Sequence, residues 1–281
     1  MLVNLNDVLI PARKGKYAVG LFNTVNLELA RGVIEAAEEL RSPVIVGTAE
    51  ILLPYAALDD LASLLLHMAE KATVPVVVHL DHGLTEEVCR EALELGFSSV
   101  MYDCSTADYE TNAEKVRQMS ELAHSFGATI EAELGHVGDN EGEDGAVDDP
   151  SRFYTVPHQA KDFIERTGAD ALAIAVGTAH GAYKLPPKLD FDRIREIAEL
   201  INTPLVLHGG SGLTDSDFHR AVKEGISKVN IFTDINQAGA EASFNAYSKG
   251  KGLTDLMLPA AQAVKESVME KMKLFGSVNK A

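Results

Sequence analysis

Eight short apolar runs, each followed by a stretch with helical periodicity, constrain this 281-residue chain more than any single motif does. The runs are Tyr17 to Asn23, Pro43 to Thr48, Pro75 to Leu80, Ser98 to Asp103, Thr129 to Gly135, Ala171 to Gly177, Pro204 to His208 and Lys228 to Thr233. Between the first two, Asn26 is placed to cap a helix. Leu29, Val33, Ala36, Ala37 and Leu40 then recur on one face, and Ser42-Pro43 stops the helix. Turn residues at Thr73 to Pro75, Gly96, Gly127, Gly168-Ala169, Thr203-Pro204 and Gly225 repeat this punctuation. Strands alternating with helices at roughly thirty-residue intervals build right-handed βαβ units, and eight such units predict an α/β fold of the closed (β/α)8 TIM-barrel type. Such barrels commonly run to about 250 residues as one unit, so a single barrel domain over residues 1–281 is expected. An open doubly wound sheet would carry an early glycine-rich dinucleotide fingerprint. Here Gly209-Gly210-Ser211-Gly212 follows the seventh run instead.

Two segments exceed the repeat. Residues 136–155 contain GDNEGEDGAVDD, too polar and glycine-rich for a core, and they follow the fifth run on the side where barrels place active-site loops. The tail, residues 250–281, carries Leu253, Leu256, Met257, Leu258, Ala261, Val264, Val268 and Met272 at helical spacing, which predicts one or two extra C-terminal helices covering the barrel or a partner subunit. With 25 Lys plus Arg against 42 Asp plus Glu, the net charge of −17 argues against nucleic acid and anionic membrane as partners. An anionic substrate would need a local pocket of backbone N–H groups and metal. No run has the length of a membrane span, and the first residues lack a cationic stretch followed by a long apolar one, so a cytoplasmic location is expected. Cys89 and Cys104 are too few for a disulfide framework and wrongly spaced for a cysteine zinc cluster.

Three histidines stand where three runs end: His82 after the third, His180 after the sixth and His208 at the end of the seventh. Parallel barrel strands converge at their carboxyl ends, so these imidazoles suggest a metal site with one coordination position open to substrate. Strict alternation puts His79 and Asp81 on one face and Leu80 and His82 on the other, so His82 reaches inward only if the strand ends or bends near Asp81. His79 is the competitor on that run, and His136 is the other histidine near enough to compete. A phosphate signal comes from Gly177 to Gly181, Gly209 to Gly212 and Asn230 to Asp234, where glycines, hydroxyls and a following helix start can present donors to one anion. Barrels bind phosphate recurrently after their seventh and eighth strands.

These residues resemble the class II, metal-dependent ketose-bisphosphate aldolases, which include the fructose-bisphosphate and tagatose-bisphosphate enzymes. The likeness spans nearly the whole chain. It is carried by VVVHLDHG (Val76 to Gly83), EAELGHVG with the acidic segment behind it (Glu131 to Asp149), AVGTAHGAYK (Ala175 to Lys184), LVLHGGSGL (Leu205 to Leu213) and KVNIFTD (Lys228 to Asp234). It implies reversible cleavage of a phosphorylated ketose to dihydroxyacetone phosphate and an aldehyde through a zinc-stabilised enediolate. His82, His180 and His208 are then the Zn2+ ligands, and Asp81 is the acid that protonates the aldehyde oxygen in condensation. Gly181, Lys184, Gly209 and Ser211 match phosphate-binding positions. Asn230 matches a residue that holds the three-carbon ketone, and Thr233 follows on the phosphate side. Glu133 corresponds to a carboxylate near the metal. Glu143 resembles the base that takes the ketone's proton, with Glu141 and Asp144 as neighbours that could occupy its place. The family also implies a monovalent cation, Na+ or K+, near the phosphate, and a homodimer or homotetramer.

The chain departs from the family's usual pattern at Asp103-Cys104-Ser105, at Phe232 and at Thr48-Ala49-Glu50, near where the aldehyde partner is expected to bind. Fructose 1,6-bisphosphate, tagatose 1,6-bisphosphate and a deoxy or monophosphorylated relative all stay open as substrates. A zinc-dependent sugar-phosphate isomerase or epimerase would use the same groups without breaking a carbon–carbon bond. A noncatalytic metal- and phosphate-binding barrel would leave Asp81 and the acidic segment without a purpose.

Overall fold

The computed structural model of the chain describes residues 1–137, 153–179, 187–247, 250 and 252–281. Among these residues the strands are β1 (Leu2–Val3), β2 (Val19–Asn23), β3 (Val44–Ala49), β4 (Val76–Gly83), β5 (Ser99–Tyr102), β6 (Thr129–Leu134), β7 (Ala171–Ile174), β8 (Leu205–Leu207) and β9 (Ile226–Ile231). The helices are α1 (Leu5–Gly15), α2 (Leu27–Leu40), α3 (Leu58–Lys71), α4 (Glu86–Leu95), α5 (Tyr109–Ser125), α6 (Pro157–Thr167), α7 (Phe191–Leu200), α8 (Asp215–Glu224), α9 (Thr233–Tyr247) and α10 (Leu253–Phe275). Strands β2 to β9 pair in parallel with their sequence neighbours, and β2 pairs with β9, so eight strands close into a barrel. The expected TIM barrel is the fold observed.

Local signals act as their chemistry dictates. Asn26 caps α2 by accepting the Leu29 N–H at 2.9 Å, and Thr214 caps α8 in a reciprocal box with Asp217. The start of the chain adds two elements ahead of the first apolar run. β1 pairs with the first residues of β4, and α1 follows, closed at its N-terminus by a capping box between Asn4 and Asp7. Pro11 inside α1 reads in sequence as a helix breaker, yet the helix runs through it because one face, Leu5, Val8, Leu9 and Ala12, is buried. That face packs with Val19, Leu21, Ile45, Val77, Ala171, Ala173 and Val206, so α1 seals the amino-terminal end of the barrel with apolar side chains.

Alternation along the strands then fixes what fills the other end. Two residues beyond Leu21, Val77 and their neighbours, the inward positions become polar: Asn23, His79, Asp81, Glu131, Glu133, Lys228 and Asn230, each at most 8% exposed. The tail forms a single helix, α10, whose Ala261, Val264, Val268, Met272 and Phe275 are buried against the barrel. Gly32 on α2 admits this close approach, since a Cβ there would lie 2.6 Å from the Val264 side chain. Among the described residues no helix is long and apolar enough to cross a membrane.

Gly47 on β3 pairs with His79, and a Cβ at Gly47 would stand 2.1 Å from the His79 carbonyl oxygen. Backbone cannot yield as a flexible side chain does. Gly47→Ala is therefore expected to lower the free energy of unfolding by about 1–3 kcal/mol, measured by urea denaturation. Wild-type stability in this variant would show that the two strands do not approach so closely.

Candidate active site

Strand β4 delivers both of its functional residues through one irregularity. Its pairing with β5 shifts between Leu80 and Gly83, and His82 adopts a positive φ of 43°. A left-handed conformation is costly for a residue with a side chain and marks a place where the surroundings impose it. Gly83 permits the bend, because a Cβ there would meet the Cys89 Sγ at 2.4 Å and the Met101 carbonyl at 2.8 Å. The bend answers the alternation problem: His79 and Asp81 keep the inward face, and His82 is turned back toward His208. The two rings lie edge to face with centroids 4.6 Å apart.

Asp81 is 3% exposed, and both of its oxygens are held by amides. Asn23 Nδ2 donates to Oδ2 at 2.7 Å and Asn230 Nδ2 donates to Oδ1 at 2.9 Å. Burial by itself would raise its pKa. The charges of His82, Lys228 and the other two histidines outweigh that and hold the carboxyl well below the ordinary carboxylate range. His82 Nδ1 donates to Asp103 Oδ2 at 2.8 Å, and Asp103 Oδ1 accepts the Ser105 N–H at 3.0 Å. Burial disfavours a proton on His82, while Asp81 and the bond to Asp103 raise its pKa above the ordinary value.

His208, fully buried, lies between two glutamates of β6. Its Nε2 donates to Glu131 Oε1 at 2.9 Å, and its Nδ1 is 3.2 Å from Glu133 Oε2. Burial lowers its pKa, but the two carboxylates outweigh burial and push it up to about 10. Glu133 is also fixed by the Val137 N–H, which donates to Oε1 at 3.0 Å. Below this level, Lys228 Nζ stands 3.0 and 2.8 Å from the two oxygens of Glu131 and donates to Asn230 Oδ1 at 2.8 Å. Burial would raise the Glu131 carboxyl, and Lys228 followed by the histidines brings it down to about 2. His79 shares a 2.8 Å hydrogen bond with Ser99, and burial together with Lys228 keeps it neutral, with its pKa near 3.

Potential ligand atoms of Asp81, His82 and His208 lie within 4.8 Å of one another, as do those of His82, Asp103 and Glu133. Imidazole nitrogens beside carboxylate oxygens form a donor set suited to Zn2+ and, with less selectivity, to Co2+ or Mn2+. These residues therefore fit a divalent ion. Of the expected ligands, His82 and His208 are brought together, while His180 lies outside the described residues. Gly181, Lys184, Glu141, Glu143 and Asp144 lie outside them as well. His136 is not drawn into the cluster; it sits 3.3 Å from the Ser105 hydroxyl and edge-on to Phe153. Phe153 and Thr155 tie the far end of the acidic segment back to β6, through the His136 N–H to the Phe153 carbonyl at 3.0 Å and through Thr155 Oγ1 to Leu134.

Of the residues expected around the anion, the described ones, Gly209, Ser211, Asn230 and Thr233, lie at or after the ends of β8 and β9. Gly209 has a positive φ of 64°, and a Cβ on it would stand 2.3 Å from the Ala179 carbonyl. Ser211 is buried with its Oγ 3.4 Å from the Asp234 N–H, in the first turn of α9, which Thr233 begins. Sequence reasoning missed Asn23, Glu131 and Lys228 and treated Asp103 only as part of a departure. Glu131 with Glu133, and Lys228 with Asn230, were visible as polar residues two apart in otherwise apolar strands. A surface cavity of about 840 Å3, lined by α4 and α5 residues such as Arg90, Lys115 and Gln118, lies outside the barrel and contains none of these groups.

A parallel barrel whose polar interior carries imidazoles and carboxylates at its carboxyl end defines a class of enzyme. Residues 3–280 match the family described as fructose-bisphosphate aldolase class-II. The chain is 41% identical over 307 aligned positions to a fructose-bisphosphate aldolase of Thermus caldophilus, covering 100% of both chains. It is 40% identical over 265 residues to an uncharacterized protein, YdjI, of Escherichia coli K12, covering 94% of each. The crystal structure of the YdjI aldolase superposes with a TM-score of 0.91 at 37% identity, covering 100% of both chains. A putative fructose-1,6-biphosphate aldolase from Coccidioides immitis superposes with a TM-score of 0.89 at 29% identity, over 99% of this chain and 97% of that one. The chain belongs to the class-II fructose-bisphosphate aldolase family, a family of aldehyde-lyases.

The buried ion pair yields a stability prediction. Lys228→Met leaves Glu131 charged and without its ammonium, and is expected to cost about 3–5 kcal/mol. Glu131→Gln/Lys228→Met removes both charges at similar volume and is expected to recover most of that loss. Equal stability of Lys228→Met and the wild type in urea would contradict the pairing.

Proposed function

We propose that this chain cleaves a phosphorylated ketose reversibly to dihydroxyacetone phosphate and an aldehyde, with Zn2+ held by His82, His180 and His208. The observation that carries this reading is Asp81: a buried carboxylate, held at both oxygens, beside two imidazoles whose ligand atoms fall within 4.8 Å of it. A divalent ion held there supplies Lewis-acid polarisation of the ketone. Asp81, ionised and held in place by Asn23 and Asn230, takes the hydroxyl proton as the carbon–carbon bond breaks and returns it to the aldehyde oxygen in condensation. A second carboxylate must act at the ketone carbon, and Glu143 in the acidic segment is proposed for it. Two carboxylates in different surroundings can divide acid and base work between them. Gly181, Lys184, Gly209, Ser211 and Thr233 are proposed to hold the ketone phosphate, and Asn230 its hydroxyl end. Glu133, beside His208 Nδ1, is proposed to act as a carboxylate close to the metal.

Fructose and tagatose bisphosphates differ at one hydroxyl, and the departures from the family pattern at Asp103-Cys104-Ser105, Phe232 and Thr48-Ala49-Glu50 are proposed to lie toward the end that carries it. The reading therefore extends to the phosphorylated ketose class and leaves open which epimer is preferred. A Na+ or K+ ion near the phosphate and a homodimeric or homotetrameric assembly complete the proposal.

A strong chelator is expected to abolish cleavage, and Zn2+ to restore it. His82→Ala and His208→Ala should each lose bound zinc, and retention of full zinc content and activity in both would remove the site. Proton exchange from dihydroxyacetone phosphate in D2O, followed by NMR, separates the two acids. Asp81→Ala should keep exchange while losing cleavage by at least about 100-fold. Glu143→Ala should lose both. Exchange that survives in Glu143→Ala and vanishes in Asp81→Ala would reverse the assignment.

A further inference from the structure

Lys228 is fully buried in the barrel, where an apolar side chain would fill the space without desolvating a charge. Its ammonium has donors to give and uses them in two directions. One goes to Glu131, at 3.0 and 2.8 Å, and one to the Asn230 side-chain oxygen at 2.8 Å. Because Lys228 occupies Oδ1, Asn230 presents Nδ2 to Asp81 Oδ1 at 2.9 Å. A flipped amide would set its NH2 against the ammonium and its oxygen against the carboxylate, two repulsive contacts in place of two attractive ones. The amide is thus oriented from both ends. In the other direction, Glu131 accepts from His208 Nε2 at 2.9 Å, which fixes the ring with Nδ1 toward Glu133 and the side of the cluster that contains His82. A carboxylate holding the remote N–H of an imidazole sets its tautomer and its basicity toward a metal.

We propose that Lys228 is a positioning residue for the aldol reaction, orienting Asp81 through Asn230 and His208 through Glu131. It touches neither substrate nor metal in this role. One ammonium aligns the acid and the imidazole ligand together, so the two halves of the site keep a fixed relation. The proposal rests on the aldolase reading above for its kinetic consequences, and on the geometry alone for its effect on zinc.

The test is a double-mutant cycle in the Glu131→Gln background, where losing the ammonium leaves no buried carboxylate unpaired. Cleavage kcat and KM, zinc dissociation constants by chelator competition, and urea stability are measured for Glu131→Gln, Glu131→Gln/Lys228→Met, Glu131→Gln/Asn230→Ala and the triple variant. Adding Lys228→Met is expected to lower kcat by about 10–100-fold when Asn230 is present, with a smaller effect on KM. In the Asn230→Ala background it should lower kcat by less than about three-fold, because residues acting through one another are not additive. Zinc affinity in Glu131→Gln/Lys228→Met should be weaker than in the wild type by about 10–100-fold. Equal costs of Lys228→Met in both backgrounds, in folded protein, would overturn the proposal and leave Lys228 a structural residue. Wild-type zinc affinity in the folded Glu131→Gln/Lys228→Met variant would overturn it as well. Failure of the wild-type protein to cleave any phosphorylated ketose would sink the aldolase reading alone, since the zinc measurement needs no turnover.

Discussion

The ion pair between Glu131 and Lys228 sits midway along the barrel interior, and it governs what can lie on either side. Toward the amino-terminal end, α1 and the first inward positions of the strands form an apolar plug. Toward the carboxyl end, the described inward positions Asn23, His79, Asp81, Glu131, Glu133, Lys228 and Asn230 are polar or charged, and hydrogen bonds link Asp81 to Asn23 and Asn230, and Glu131 to Lys228 and His208. Glutamate and lysine make this transition possible, because each neutralises the other while offering further bonds, Glu131 to His208 and Lys228 to Asn230. Without such a pair Asn230 and His208 would each lose a buried hydrogen-bond partner, a loss that protein interiors tolerate poorly.

The barrel was legible because alternating strands and helices leave a strong periodic record, and all eight expected strands fall where apolar runs mark them. The end of β4 was legible only as a conflict. Alternation turned His82 away from the site, and the positive φ that turns it back depends on the space above Gly83, set by Cys89 and Met101 from other elements. Helix α1 was hidden for a related reason: Pro11 argues against a helix locally, and burial of the opposite face outweighs it. Glu131 and Lys228 were written in the strands, yet a charged residue in an apolar run gives no sign of its partner. Their pairing joins β6 to β9 across the barrel, a contact that sequence spacing does not encode.

The chain carries a net charge of −17 and is proposed to bind a phosphorylated sugar, so recognition must be local. Gly209 brings its backbone against Ala179, and the first turn of α9 points an N–H toward Ser211, concentrating donors where β8 and β9 end. Asp234, at that helix start, would place a negative charge beside the anion. Its carboxylate is engaged 2.6 Å from Lys271 of α10, so the C-terminal helix offsets the negative charge at this helix start. Packing and chemistry meet again at β4, where the bend that directs His82 follows from how α4 and β5 pack.

The central claim is that the polar end of the barrel is a metal site built around His82 and His208, with Asp81 beside it. Anomalous diffraction at the zinc edge from crystals of the zinc-loaded protein tests it most directly. The account predicts one strong peak in contact with both imidazoles and next to the Asp81 carboxylate. A peak that touches neither histidine, or one confined to surface carboxylates, would contradict it.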